Sequence, residues 1–89
     1  MKYEIKYSTK FKKHYKKLNT KERQNADIII NRIANNETLE AKHRDHALKG
    51  NYIGFRECHI QQDLLLVYQK QDDKLILYLL RIGSHSELF

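Results

Sequence analysis

Proline is absent from these 89 residues, cysteine occurs once and glycine three times. A single thiol, Cys58, cannot close an internal disulfide, so the chain must fold on its own core, as suits a reducing compartment. A chain of this length is expected to form one domain over 1–89. It buries roughly 60–65% of its unfolded surface, enough for one modest core without covalent staples. The opening Met1-Lys2-Tyr3-Glu4-Ile5 has no apolar signal core. The longest apolar run, Leu75 to Leu80, is far too short to span a bilayer. No repeat, linker or low-complexity tract appears. The expectation is a soluble, cytoplasmic protein with no membrane partner.

Acid is scarce at the front of the chain. Residues 1–24 carry nine Lys and Arg against Glu4 and Glu22, while the rest carries eight against nine acids. The net charge of +6 therefore comes from the first quarter. Such an excess reads as an electrostatic footprint for a polyanion. A solvated, lysine-rich helix face is the alternative reading of the same residues.

Hydrophobic spacing supplies the elements. Tyr3, Ile5 and Tyr7 alternate with charged residues, the period of a half-buried strand. Ser8 can cap a helix whose apolar positions are Phe11, Tyr15 and Leu18. Asn19-Thr20 breaks that pattern and can cap a second helix, with Glu22 in its first turn. There Ala26, Ile29, Ile30, Ile33 and Ala34 form one stripe, and Asn35-Asn36 stops it. Residues 36–50 show no sustained period, as in a functional loop. Strands follow at about 52–60, 64–70 and 74–82, joined by short turns at Gln61-Gln62-Asp63 and Gln71-Asp72-Asp73.

Three histidines of the second half each sit beside or one residue from a carboxylate: Asp45-His46, Glu57-Cys58-His59 and His85-Ser86-Glu87. Strand alternation puts Cys58 and Ile60 on the core side and Glu57 and His59 on the open side. Pairing Lys70 with Leu75 sets Leu64 opposite Arg81, so that His59, Asp63, Arg81 and His85 converge at one end of the sheet. Such a set suits RNA cleavage. RNA carries its own nucleophile, the 2′-hydroxyl, and needs a base, an acid and a stabiliser of phosphorane charge. Histidine serves the first two tasks and arginine the third.

Each residue also has a plainer reading. His46 can cap a turn, His59 can be a hydrogen-bonded strand residue, and Asp63 is a favoured turn former. His85 and Glu87 can be solvated, and Arg81 can pair with Glu57. Cys58 reads as packed and His14 as solvated or facing phosphate. A metal at His43-x-x-His46 with His59 or His85 is disfavoured, since structural zinc usually needs thiolates and only one is present.

The strings Arg44-Asp45-His46-Ala47-Leu48-Lys49-Gly50, Phe55-Arg56-Glu57-Cys58-His59 and Gly83-Ser84-His85-Ser86-Glu87-Leu88-Phe89 resemble the signature of RelE/YafQ-type toxins of bacterial toxin–antitoxin systems. The likeness is to the YafQ-like branch and covers the chain in element order. It implies an α+β fold, with a two-helix hairpin packed on a small curved, mostly antiparallel four-stranded sheet in the order β-α-α-β-β-β. It implies an endoribonuclease, an mRNA interferase that cuts messenger RNA in the ribosomal A site without metal or other cofactor. It further implies a cognate antitoxin, acidic and bearing a DNA-binding segment, and a monomeric free toxin.

Carried over residue by residue, the working positions are His46, Glu57, His59, Asp63, His85 and Phe89, with Arg81 as the phosphate partner. His46 and His85 would form the proton-transfer pair, in either order, and Phe89 would stack on a base. Lys12, Lys13, Lys16 and Lys17 would grip ribosomal RNA phosphates. Glu57 departs from the aspartate of some relatives. Related ParE-type proteins share the fold and inhibit DNA gyrase instead, and such an inhibitor has no need of three histidines with acids. A basic RNA-binding module would bind without cutting, indifferent to loss of His46 or His85.

Overall fold

Ser8 and Asn19 start the two main helices through their own side chains. The computed structural model describes residues 2–88. Ser8 Oγ accepts the Phe11 N–H at 2.9 Å and caps α1 (Thr9–Tyr15). Asn19 and Glu22 close a capping box on α2 (Thr20–Ala34), each side chain accepting the other's backbone N–H at 2.8 and 2.9 Å. The stripe Ala26, Ile29, Ile30, Ile33 and Ala34 is buried throughout. Asn36 ends the run in a left-handed conformation, at φ 62°.

The strands are β1 (Glu4–Tyr7), β2 (His46–Ala47), β3 (Arg56–Gln61), β4 (Leu64–Gln71) and β5 (Ile76–Gly83). They lie in the order β1-β5-β4-β3-β2, with β1 parallel to β5 and the remaining pairs antiparallel. The main core joins α2 and Phe11 to one face of the sheet, through Cys58, Ile60, Leu66, Tyr68, Leu77, Leu79 and Ile82. Among the described residues no helix is long and apolar enough to cross a membrane.

Several expectations are corrected. The sheet has five strands rather than four, because β2 forms within the stretch that lacks periodicity. A two-residue strand carries no alternation to read. A short third helix, α3 (His85–Leu88), follows β5. The strand expected from about 52 begins at Arg56, because Gly50–Tyr52 forms a 3-10 turn. The last strand begins at Ile76, since the turn runs on through Leu75, left-handed at φ 53°.

The longer turn also changes the register. Lys70 pairs with Leu77, and Arg81 pairs with Val67 rather than Leu64. A bulge between Val67↔Arg81 and Tyr68↔Leu79 leaves Leu80 as the extra residue. Leu77 and Leu79 face the helices, so unbroken alternation would have turned Arg81 the same way. The extra residue puts Ile82 into that core instead and aims Arg81 at the opposite face, a common use of bulges.

Candidate active site

The face away from the helices carries two ordered rows of side chains. Register sets His46 opposite Glu57, Glu57 opposite Val67 and Val67 opposite Arg81, one row across four strands. The next row is His59, Leu65 and Gly83. Three strand spacings separate β2 from β5, roughly 14 Å between backbones. Side chains as long as histidine and arginine can bracket one phosphodiester from the two ends. Between them the floor is apolar: Leu65, Val67 and Leu88 are buried, with Leu48, Phe55 and Leu80 packed against them.

His46 is held by the backbone through one ring nitrogen and faces a carboxylate with the other. Nδ1 lies 2.6 Å from the Arg44 carbonyl oxygen, and a carbonyl only accepts, so Nδ1 carries hydrogen. Any proton that His46 takes or gives therefore moves through Nε2, 3.5 Å from Glu57 Oε1. Glu57 stands on the face expected, but it is buried rather than open, only 6% exposed. Its second oxygen has no hydrogen-bond partner, and neither has the buried Nε of Arg81. Arg81 Nη2 donates to the Glu87 carbonyl at 3.1 Å. Among the described residues Arg81 forms no ion pair with Glu57.

The far end of the same face is built by the tail. Ser84 and Glu87 form a second capping box: Ser84 N–H donates to Glu87 Oε1 at 2.8 Å, and Glu87 N–H reaches Ser84 Oγ at 3.3 Å. The Ser84 N–H, above all, holds the Glu87 carboxyl below its usual range. Glu87 therefore caps helix α3, and the spacing Ser84-x-x-Glu87 was the signal for it. Asp63, left-handed at φ 57°, accepts the His85 backbone N–H at 3.4 Å. The turn after β3 thus meets the residue after β5, as hairpin geometry required. Phe89 lies outside the described residues.

Asp45 turns away from His46. Its Oδ1 accepts from Tyr68 O–H at 2.6 Å and Arg56 Nε at 3.3 Å, and burial, then this bond, pushes the Tyr68 hydroxyl up. Cys58 is fully buried and burial pushes its thiol up, so it is packing and not a nucleophile. Lys12, Lys13, Lys16 and Lys17 are all exposed on or just beyond α1. The charges of His14 and Lys17 reach Glu87 and help to lower it, so the basic helix ends beside α3.

Helices on one face of a small sheet, and a row of imidazole, carboxylate and guanidinium on the other, define a compact α+β protein with titratable and cationic groups gathered on one sheet face. The chain belongs to the YafQ family of bacterial toxins of type II toxin–antitoxin systems, whose family model matches residues 3–89. It is similar to the mRNA interferase toxin YafQ of Escherichia coli strain K12, 33% identical over 89 residues, a match covering 97% of this chain and 95% of that protein. Its structure resembles a copper-bound mutant toxin from Helicobacter pylori, with a TM-score of 0.87, 41% identity and 100% of both chains covered. It also resembles a chain of the E. coli DinJ–YafQ toxin–antitoxin complex, with a TM-score of 0.85, 28% identity and coverage of 100% and 99%. Among the described residues of the present chain, no three His, Cys, Asp or Glu side chains gather closely enough to hold a metal ion.

Proposed function

We propose that this chain is the toxin of a toxin–antitoxin pair and a cytoplasmic endoribonuclease, a single domain that cuts messenger RNA in the ribosomal A site by general acid–base catalysis. The observation that carries the reading is the row His46–Glu57–Val67–Arg81, with an imidazole whose exchanging nitrogen faces a buried carboxylate. Of His46 and His85, one takes the proton of the 2′-hydroxyl as its oxygen attacks phosphorus. The other gives a proton to the departing 5′-oxygen. The products are a 2′,3′-cyclic phosphate and a free 5′-hydroxyl.

Arg81 stabilises the added charge on the phosphoryl oxygens. Glu57 holds the His46 ring and its proton. His59 and Asp63 orient the other end of the site, and Phe89 stacks on a base. The antitoxin partner is proposed from likeness to YafQ in its complex with DinJ; it would silence the free, monomeric toxin.

Ribosome-bound message incubated with the protein in EDTA tests the reading. Cleavage with cyclic or 3′-phosphate ends is expected. His46→Gln and His85→Gln should lower turnover while leaving ribosome affinity nearly intact, because proton-transfer groups act mainly in the transition state. Wild-type rates in both variants would remove the histidine mechanism. Loss of cleavage on chelation, restored by zinc or magnesium, would remove its metal independence.

A further inference from the structure

Pairing of β2 with β3 sets His46 opposite Glu57 and Ala47 opposite Arg56. Leu48 N–H donates to Phe55 O at 2.9 Å, so these two stand at a hydrogen-bonding position of the ladder, although the Phe55 N–H turns to Tyr52 O at 3.0 Å. Pairs two residues further along have the same character, so continued pairing would bond Arg44 N–H to His59 O and His59 N–H to Arg44 O. The ladder stops short of this. Arg44 is left-handed at φ 48°, its N–H goes to Ala41 O at 3.0 Å, and the preceding residues wind into the 3-10 turn Ala41–His43.

Each carbonyl so released is taken by a histidine ring. Arg44 O receives the His46 Nδ1–H at 2.6 Å. His59 O is 2.7 Å from Nδ1 of His43, a ring only 8% exposed, which must donate there. This second bond lies where β3 shifts register, between His59 and Gln61. His43 is thus the buried donor that holds the backbone of the site's second histidine at an irregular point of its strand.

We propose that His43 and Arg44 are positioning residues: the turn they form replaces the missing rung of the β2–β3 ladder and sets His46 and His59 in their working places. Neither touches substrate. This inference rests on the ribonuclease reading above, in which His46 and His59 belong to the site.

The test uses His43→Leu, which keeps bulk and loses the donor, and His43→Asn, whose amide N–H can stand near the Nδ1 position. Arg44→Val, at an exposed site, disfavours the left-handed conformation without touching the core. Cleavage is measured for kcat and KM, with imidazole NMR signals of His46 and His59 and a thermal melt. Since misplacement by about 1 Å can cost on the order of 100-fold in rate, His43→Leu and Arg44→Val should lower kcat by roughly 10- to 100-fold. KM should hardly change, the ring signals should move, and His43→Asn should restore both kcat and the His59 signals. If His43→Leu proves unfolded, Arg44→Val decides by the same readouts. Wild-type kcat and unmoved ring signals in Arg44→Val, with any change in His43→Leu confined to melting, would overturn the proposal. His46→Gln and His59→Gln serve as controls: if these cut at wild-type rates, it is the ribonuclease reading that fails.

Discussion

Arg81 donates from Nη2 to the Glu87 carbonyl at 3.1 Å while its Nε is buried without a hydrogen-bond partner. One guanidinium therefore pins the last helix through Nη2 while Nε stays uncommitted. Lysine can carry the charge but cannot serve two directions from one plane. Arg81→Lys is expected to lower cleavage by about 10²- to 10³-fold, the range for loss of one charge-stabilising donor. The lost tie to α3 should cost about 1 kcal/mol, a fall in Tm of about 4–8 °C in a domain of this size. Parallel melts and cleavage rates check it, and a variant with full activity would leave Arg81 a purely structural residue.

Leu75 is left-handed at φ 53° in the turn before β5, and its carbonyl accepts the Glu4 N–H at 2.8 Å, which ties β1 to that turn. A branched side chain in this conformation costs roughly 1–2 kcal/mol, whereas glycine costs only its larger unfolded-state entropy. The carbonyl bond survives the change. Leu75→Gly should therefore stabilise the protein by about 0.5–1 kcal/mol, seen as a higher melting temperature with unchanged cleavage. A lower Tm would mean that the Leu75 side chain, 36% exposed, contributes more packing than its conformation costs.

Much of this fold could be read from residues whose signals are local. Ser8, Asn19 with Glu22, and the stripe from Ala26 to Ala34 each act within one helical turn or face, and each appears where the spacing put it. What escaped is set by long-range fit. The bulge at Leu80, which aims Arg81, has no marker among the surrounding leucines. Strand β2 is too short to have a period. The tail could be read as solvated, yet Leu88 is buried with Leu65 and Val67 and belongs to the packing of that face. In the site, Asp45-His46 looked like an acid beside its imidazole, but Asp45, just before β2, bonds to Tyr68 and Arg56, while His46 meets Glu57 across the ladder.

Lys12, Lys13, Lys16 and Lys17 are solvent-exposed, and α1 ends close enough to α3 for the Lys17 charge to be felt at Glu87. Backbone phosphates entering the site from that side would meet these lysines first. Each contact releases counterions, contributing about 0.7–0.9 to the slope of log affinity against log salt. Replacing all four by Gln should flatten that slope for ribosome binding by up to about 3, with little change in melting. An unchanged slope would return the segment to a merely solvated helix face.

The capping box of Ser84 and Glu87 ties the integrity of the site's far end to pH. The ordinary value for Glu87 is 4.5, and the Ser84 backbone N–H first, then its hydroxyl, lower it in the folded chain. A folded value below the unfolded one means that stability is gained on ionisation. The contribution is whole above about pH 4.5 and is lost as pH falls through the lowered folded value. Glu40 behaves alike, drawn down to about 2 chiefly by its bond to Arg32, so acid sensitivity as a whole has more than one source. Glu87→Gln isolates the share of the tail. At neutral pH it should melt lower than wild type by the worth of a cap, about 1 kcal/mol. The gap should close on acidification, because wild type then loses the same charge. His85 follows Ser84 directly, so cleavage at neutral pH should fall with the cap. Ser84→Ala, which removes the Oγ partner, should share the loss in cleavage. A gap in Tm that stays constant as the pH is carried well below 4.5, through the range in which wild type loses this charge, would show that Glu87 acts by shape rather than by charge.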